Sequence, residues 1–229
     1  MKTYPAARKF GRIPSVMRPR IKICGLTRRE DIRLAREFGA DFFGVILYAK
    51  SPRYVSEDDL TALLPAIPKG KRVAVEVAPV PGILKKRLAA GFDLVQVHYD
   101  PDKTTAGSIQ DWANEVGRER LWLAPHLPPG REFPAEALAA AQTLLLDTYQ
   151  KGTYGGSGRT GDWPHFKALR EAHPKHHWVL SGGLNPENIR NALKVTQAEI
   201  IDVNSGVETS PGVKCALKLD MLFANLSGL

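Results

Sequence analysis

Short apolar runs alternate along the chain with longer stretches whose apolar positions recur every three or four residues. Runs at 21–24, 42–47, 72–77, 94–98, 121–124, 144–147, 178–180 and 200–203 predict eight strands. Helical spacing predicts a helix after each. The first runs from Thr27, with Glu30 completing a capping box, to Phe38 and stops at Gly39. The second is capped by Ser56. Others are expected over 81–90, 109–116 and 134–141, then after Asp162 with Pro164 in the first turn. The last two are expected over 185–193 and through 213–225. Strands alternating with helices imply a parallel sheet, and eight such units in this length fit a closed barrel better than an open sheet. The predicted fold is α/β, a single-domain (β/α)8 TIM barrel over 21–229.

Composition changes this picture little. A hydrophobic fraction of 43% and a charged fraction of 24% are those of an ordinary soluble protein. No apolar run approaches the ~20 residues of a membrane span, and no signal-peptide core stands near the start. Two cysteines, Cys24 and Cys215, make no disulfide framework and lack metal-ligand spacing, which points to a reducing cytoplasm.

The net charge of +8 suggests nucleic acid until its location is considered. Lys2, Arg8, Lys9, Arg12, Arg18 and Arg20 lie in the first twenty residues with no acid among them, leaving 26 basic and 24 acidic residues in the body. The excess is a basic, proline-containing extension, residues 1–20, expected to be flexible. It reads as a dispensable extension or an early start codon. The sharper alternatives are weak nucleic-acid contact or an organelle address. With a nearly neutral body, nucleic acid is not the expected partner.

In such a barrel the working residues stand at the C-terminal ends of the strands. Cys24 ends the first strand, where a thiolate could act as base; its plain alternative is a small buried core residue. Asp147 ends the sixth, ahead of a glycine-rich loop holding Gly155, Gly156 and Gly158. An acid and a thiol across one mouth can move protons between neighbouring atoms. Arg53, after strand two, could clamp a carboxylate. Gly182 and Gly183 follow strand seven. Ser205 and Gly206 follow strand eight. Such loops commonly build a phosphate cradle from backbone amides, which Gly155 and Gly156 would complete; tight turns are the alternative. Asp202 is placed to orient a substrate hydroxyl or loop amides. Gln96 should point into the barrel beside His98, as a core hydrogen-bonding residue. His173, His176 and His177 read as a solvated helix end rather than a metal site.

The segments KICGLT, GVILYAKSPRYVS, DLVQVH, LLLDTYQKGTYGGSGRTGDW, LSGGLNPENI and IDVNSGVETSPGVK stand in one order from Ile21 onward. Together they resemble phosphoribosylanthranilate isomerase, a (β/α)8 family of tryptophan biosynthesis. The resemblance implies an Amadori rearrangement of N-(5-phosphoribosyl)anthranilate without metal or organic cofactor. By motif position, Asp147 would be the general acid that opens the ribose ring and Cys24 the general base at C2. Arg53 would hold the anthranilate carboxylate, and the sixth to eighth loops the phosphate. A monomer or homodimer is expected.

Four positions depart from the family pattern. Glu76 stands in strand three where an aromatic is usual, Tyr99 follows His98, strand five reads LWLAPHL, and Cys215 replaces a frequent aspartate. A glutamate at the mouth would disfavour an anionic substrate unless it is paired or faces outward. Competing readings are an isomerase of the histidine-pathway aminoimidazole, disfavoured by Cys24 where an aspartate would be expected, and a non-catalytic phosphate binder, disfavoured by the intact acid and base.

Overall fold

The computed structural model describes residues 18–128, 130–147 and 161–227. Eight parallel strands close into a barrel in sequential order: β1 (Arg20–Ile23), β2 (Phe42–Ile46), β3 (Arg72–Val77), β4 (Leu94–Tyr99), β5 (Leu121–Pro125), β6 (Thr143–Leu146), β7 (His177–Leu180) and β8 (Ile200–Val203). Closure is made by β8 against β1, with Arg20 opposite Ile200 and Lys22 opposite Asp202. Around it lie α1 (Arg29–Phe38), α2 (Glu57–Leu63), α3 (Ile83–Ala89), α4 (Ala106–Val116), α5 (Ala135–Ala140), α6 (Trp163–Ala172), α7 (Ile189–Thr196) and α8 (Ala216–Leu226). The predicted barrel is therefore the observed one. Its first strand begins at Arg20, and Arg18 already donates to Gly39 O at 2.6 Å. Of the extension expected to be flexible, residues 1–20, Arg20 belongs to β1 and Arg18 is held against Gly39, while residues 1–17 lie outside the described residues. No described helix is long and apolar enough to cross a membrane.

Strand alternation divides the apolar residues into two layers. Ile21, Ile23, Phe43, Val45, Val95, Val97, Leu121, Leu123, Ile201 and Val203 face the helices and form the main core. The inward set is smaller. Phe42, Leu94, Trp122, Leu145, Val179 and Ile200 pack inside the sheet, where Phe42 meets Trp122 edge-on at 5.1 Å. Next to them lie Cys24, Val73 and Val75.

Alternation also decides the departures in strands three and four. Val73 and Val75 point inward, so Glu76 points out into the helical layer. There it accepts from Arg87 Nε at 2.7 Å, and Arg87 also bridges to Glu57. Burial nevertheless holds the Glu76 carboxyl above its usual range, although Arg87 pulls it down. Tyr99 likewise faces outward, fully buried, with its ring 5.7 Å from that of Trp112. Neither residue enters the barrel mouth.

Several helix starts differ from the sequence expectation: α3 begins at Ile83 rather than Pro81, and α4 at Ala106 rather than Ile109, after a Thr105 cap that accepts from Ser108 N. Thr27 does not cap α1. Its hydroxyl donates across the barrel closure to Gly212 O at 2.7 Å, and the cap position is Arg28, without a side-chain bond. α7 begins at Ile189 rather than Asn185, because Asn185 Oδ1 accepts from the amides of Glu187 and Asn188 in a turn of its own. α8 begins at Ala216, because Val213–Lys214 (β10) pairs antiparallel with Glu208–Ser210 (β9). The caps at Ser56 and Asp162 are as expected, accepting from Asp59 N and His165 N.

Candidate active site

The ends of β1 and β8 supply the centre of the site. Cys24 follows β1 and continues its ladder, donating its amide to Val203 O at 2.9 Å. Its side chain points inward. Two residues earlier on the same face stands Lys22, 0% exposed, with Nζ 2.7 Å from Asp202 Oδ2. Asp202 Oδ1 is buried without a hydrogen-bond partner among the described residues. Space for this group comes from β2: a Cβ on Gly44 would lie 2.8 Å from Cys24 Sγ and 3.0 Å from Lys22 Nζ.

Arg53 is held by a folded-back loop. Its amide donates to Ser51 Oγ at 3.1 Å, and Val55 N returns to Ile46 O at 3.0 Å. Its side chain is 11% exposed and reaches Glu208 bidentately, with Nε 3.0 Å and 3.1 Å from the two oxygens and Nη2 2.7 Å from Oε2. Lys214 completes the cluster. Nζ donates to Glu208 Oε1 at 2.8 Å and to Asn204 Oδ1 at 2.9 Å. Gly25 is required here: φ is +68°, and a Cβ would stand 2.5 Å from Asn204 Oδ1 and 2.7 Å from Arg53 Cδ.

Burial and the nearest opposite charge oppose each other at each group of this cluster. Burial pushes the Cys24 thiol up and the Asp202 carboxylate adds to this, while Lys22 and, less, Lys214 draw it down without cancelling the effect. Burial would lower the Lys22 ammonium, but Asp202 and Cys24 reverse that and hold it above its usual value. Burial would raise the Glu208 carboxyl, yet Arg53 and Lys214 keep it below its usual range. Lys214 itself is pushed down by burial, against Glu208.

Asp147 directly follows β6, three strands round from β1 on the same rim. Leu145 points inward, so alternation directs Asp147 inward too. On β4, Gln96 points inward as expected and its Nε2 lies 2.8 Å from His98 Nε2. Burial, then Lys22 and His126, push the His98 imidazole down to about 3, so it is neutral at physiological pH.

Gly182 and Gly183 take left-handed φ of +89° and +62° after β7. Their amides donate to no backbone carbonyl of the described residues. Ser205 and Gly206 open a single 3-10 turn after β8, whose first amides have no partner within the turn. The two loops touch: a Cβ on Gly206 would lie 1.9 Å from Leu184 O. Gly155 and Gly156 lie outside the described residues. His176 Nε2 binds Leu138 O at 3.0 Å, and no group of three or more His, Cys, Asp or Glu among the described residues could hold a metal ion.

The barrel thus brings Cys24, Arg53, Asp202, Ser205 and Gly206 together beside the β8–β1 closure, with Gly182 and Gly183 on the neighbouring loop. Sequence reasoning missed Lys22, Gly44, Asn204, Glu208 and Lys214. Lys22 could have been found, since strand alternation puts it on the same face as Cys24. Glu208 and Lys214 carry no local signal.

A family model for N-(5'phosphoribosyl)anthranilate (PRA) isomerase matches residues 21–225. The N-(5'-phosphoribosyl)anthranilate isomerase of Aquifex aeolicus is 36% identical over 201 residues, 85% of this chain and 92% of that one. That of Nitrosomonas europaea is 37% identical over 210 residues, 89% and 92% of the two chains. Among solved structures, a phosphoribosyl anthranilate isomerase in complex with reduced 1-(o-carboxyphenylamino)-1-deoxyribulose 5-phosphate superposes with a TM-score of 0.74. It is 31% identical and spans 92% of this chain and 100% of that one. The enzyme from Thermotoga maritima gives 0.74 at 33% identity, with the same coverage. With its closed eightfold barrel and with matches that run nearly from end to end, the chain belongs to the N-(5'-phosphoribosyl)anthranilate isomerase family.

Proposed function

We propose that the protein converts N-(5'-phosphoribosyl)anthranilate into 1-(2-carboxyphenylamino)-1-deoxyribulose 5-phosphate, the isomerisation step of tryptophan biosynthesis. The observation that carries this reading is an inward thiol after β1 and a carboxyl residue directly after β6, on one rim of a barrel of this family. Asp147 protonates the ribose ring oxygen and the ring opens to a Schiff base. Cys24 removes the C2 proton, the imine accepts the electron pair, and the enolamine tautomerises to the ketone. The iminium is itself the electron sink, so these steps need no cofactor.

The remaining groups bind. Glu208 covers one edge of the Arg53 guanidinium, and the edge left over receives the anthranilate carboxylate. The loop amides of Gly182, Gly183, Ser205 and Gly206, completed by Gly155 and Gly156, take the phosphate. The unpartnered Oδ1 of Asp202 accepts from a ribose hydroxyl. A phosphoribosyl ligand is supported by the product analogue bound in the related structure. The site is read as working in the cytoplasm, in a monomer or homodimer, which sedimentation of the purified chain distinguishes.

The test is turnover of freshly generated substrate, followed by loss of its fluorescence, in wild type, Cys24→Ala and Asp147→Asn. Wild type should turn over, and each variant should lose on the order of 10²–10⁴-fold in kcat. A folded wild type without turnover would remove the assignment, and a variant within tenfold of wild type would remove that residue's role.

A further inference from the structure

A thiol buried at the end of a barrel strand is a poor base unless something favours its anion. The charged groups around Cys24 come from three elements. Lys22 stands on its own strand, and Asp202 on β8 opposite. Lys214 lies on β10, already engaged with Asn204 and Glu208, which in turn holds Arg53. From β2 comes no charge at all, only Gly44. Because a Cβ on Gly44 would sit 2.8 Å from Cys24 Sγ and 3.0 Å from Lys22 Nζ, those two atoms border the same point. They lie within about 6 Å of each other, in the range over which an ammonium favours a thiolate.

Lys22 itself is unusual. It is wholly buried in a four-residue strand whose other inward position, Arg20, is exposed. An ammonium removed completely from water needs more than packing to hold it there. Asp202 supplies one charged bond, at 2.7 Å, from one of its two oxygens. That leaves two of the three Lys22 protons to be directed by the rest of the pocket, and the sulfur is the polarisable atom on the same face.

With Cys24 taken as the base, we propose that Lys22 is a positioning residue for it. Its ammonium, anchored by Asp202 and admitted by Gly44, faces the sulfur and carries the positive charge against which the thiolate forms. When Cys24 takes the substrate proton, the sulfur becomes neutral and the Lys22 charge falls back wholly on Asp202. Before that, the thiolate, Lys22 and Asp202 together carry one net negative charge, which Arg53 and Lys214 against Glu208 offset; afterwards Lys22 and Asp202 are left as a neutral pair.

The thiolate can be titrated directly by its ultraviolet absorbance, as the difference between each protein and the same protein carrying Cys24→Ser, which cancels Cys215. In Lys22→Met the Cys24 midpoint should rise by about one to three pH units. The kcat at neutral pH should fall at least about tenfold in step, one pH unit being tenfold in thiolate, while KM stays within about threefold. The rising limb of the rate against pH should move the same way, and Lys22→Arg should restore part of the shift. Asp202→Asn, which leaves the lysine charge unshared, should move the midpoint down. Lys22→Met leaves Asp202 buried and unpaired, so the double variant Lys22→Met/Asp202→Asn, which removes both charges together, provides a folded test and should also titrate above wild type. A midpoint equal to that of wild type in the folded Lys22→Met or double variant would overturn the proposal and make Lys22 the counter-ion of Asp202 alone. Turnover retained by Cys24→Ala, with the midpoint still following Lys22, would instead overturn the assignment of the base and leave the coupling intact.

Discussion

Replacing Gly206 with alanine should damage ligand binding far more than its size suggests. The added Cβ would stand 1.9 Å from Leu184 O and 2.9 Å from both Leu184 C and Asn185 Cβ. Real Cβ atoms essentially never come within 3.0 Å of such neighbours, so the loops after β7 and β8 must part by at least 1.1 Å. The obstacle is backbone carbonyl, not a side-chain end that can swing away. These are the loops proposed to hold the phosphate, and a displacement near 1 Å in a binding constellation can cost about 10²-fold. Overpacking of this kind also destabilises by about 1–3 kcal/mol, which for a chain of this length is a fall in Tm of about 2–12 °C. Both effects can be measured on one preparation, kcat/KM by the fluorescence assay and Tm by calorimetry. A reduced product analogue then reports loss of affinity without chemistry. Gly70→Ala is the control. Gly70 has a φ of +81° with nothing within 4 Å of a Cβ, so it should show strain of about 1–2 kcal/mol and no change in KM. A Gly206→Ala protein with kcat/KM within twofold of wild type and an unchanged Tm would refute the contact between the loops and the part given to it.

Gly44→Ala should lower kcat by about ten- to a hundredfold with little change in KM, since its Cβ meets Cys24 Sγ and Lys22 rather than a binding loop; steady-state kinetics would show this, and an unchanged kcat would contradict it. Glu208→Gln should cost about 3 kcal/mol at neutral pH by leaving Arg53 and Lys214 uncompensated, read from denaturant unfolding. The Glu208 carboxyl titrates below its unfolded value, so its stabilisation is complete above about pH 4.5 and is lost as pH falls through the lower folded value. Wild-type stability should therefore drop over that acid window, and the Glu208→Gln curve should run flatter there; parallel curves would exclude the pair as the cause. Cys215→Asp should raise stability by about 1 kcal/mol, because Cys215 caps α8 without a side-chain bond, in extended geometry that suits an N-cap carboxylate; a Tm at or below wild type would count against it.

What could be read before folding and what could not differ by the distance over which the information is stored. The eight strands were readable because each is a local apolar run, and Cys24, Asp147 and Asp202 because a strand end is a local feature. The side on which Glu76 and Tyr99 lie was also contained in the pattern, one residue out of phase with Val75 and His98, but only once the inward set was known. Thr27 misled because its hydroxyl had two possible partners. The local one, an amide of its own helix, lost to Gly212 O, which is 185 residues away. Arg53 and Glu208 are 155 residues apart, and Lys22 and Asp202 are 180 apart. All three pairs join an early segment to the end of the chain, so they come into being only when β8 closes on β1. That closure also sets the loop carrying Ser205 and Gly206 beside Cys24. A segment-by-segment reading can therefore name the groups at the mouth but not their charge balance. In this protein the balance is a property of the barrel seam, and substitutions on either side of the seam should be coupled even where their residues never touch.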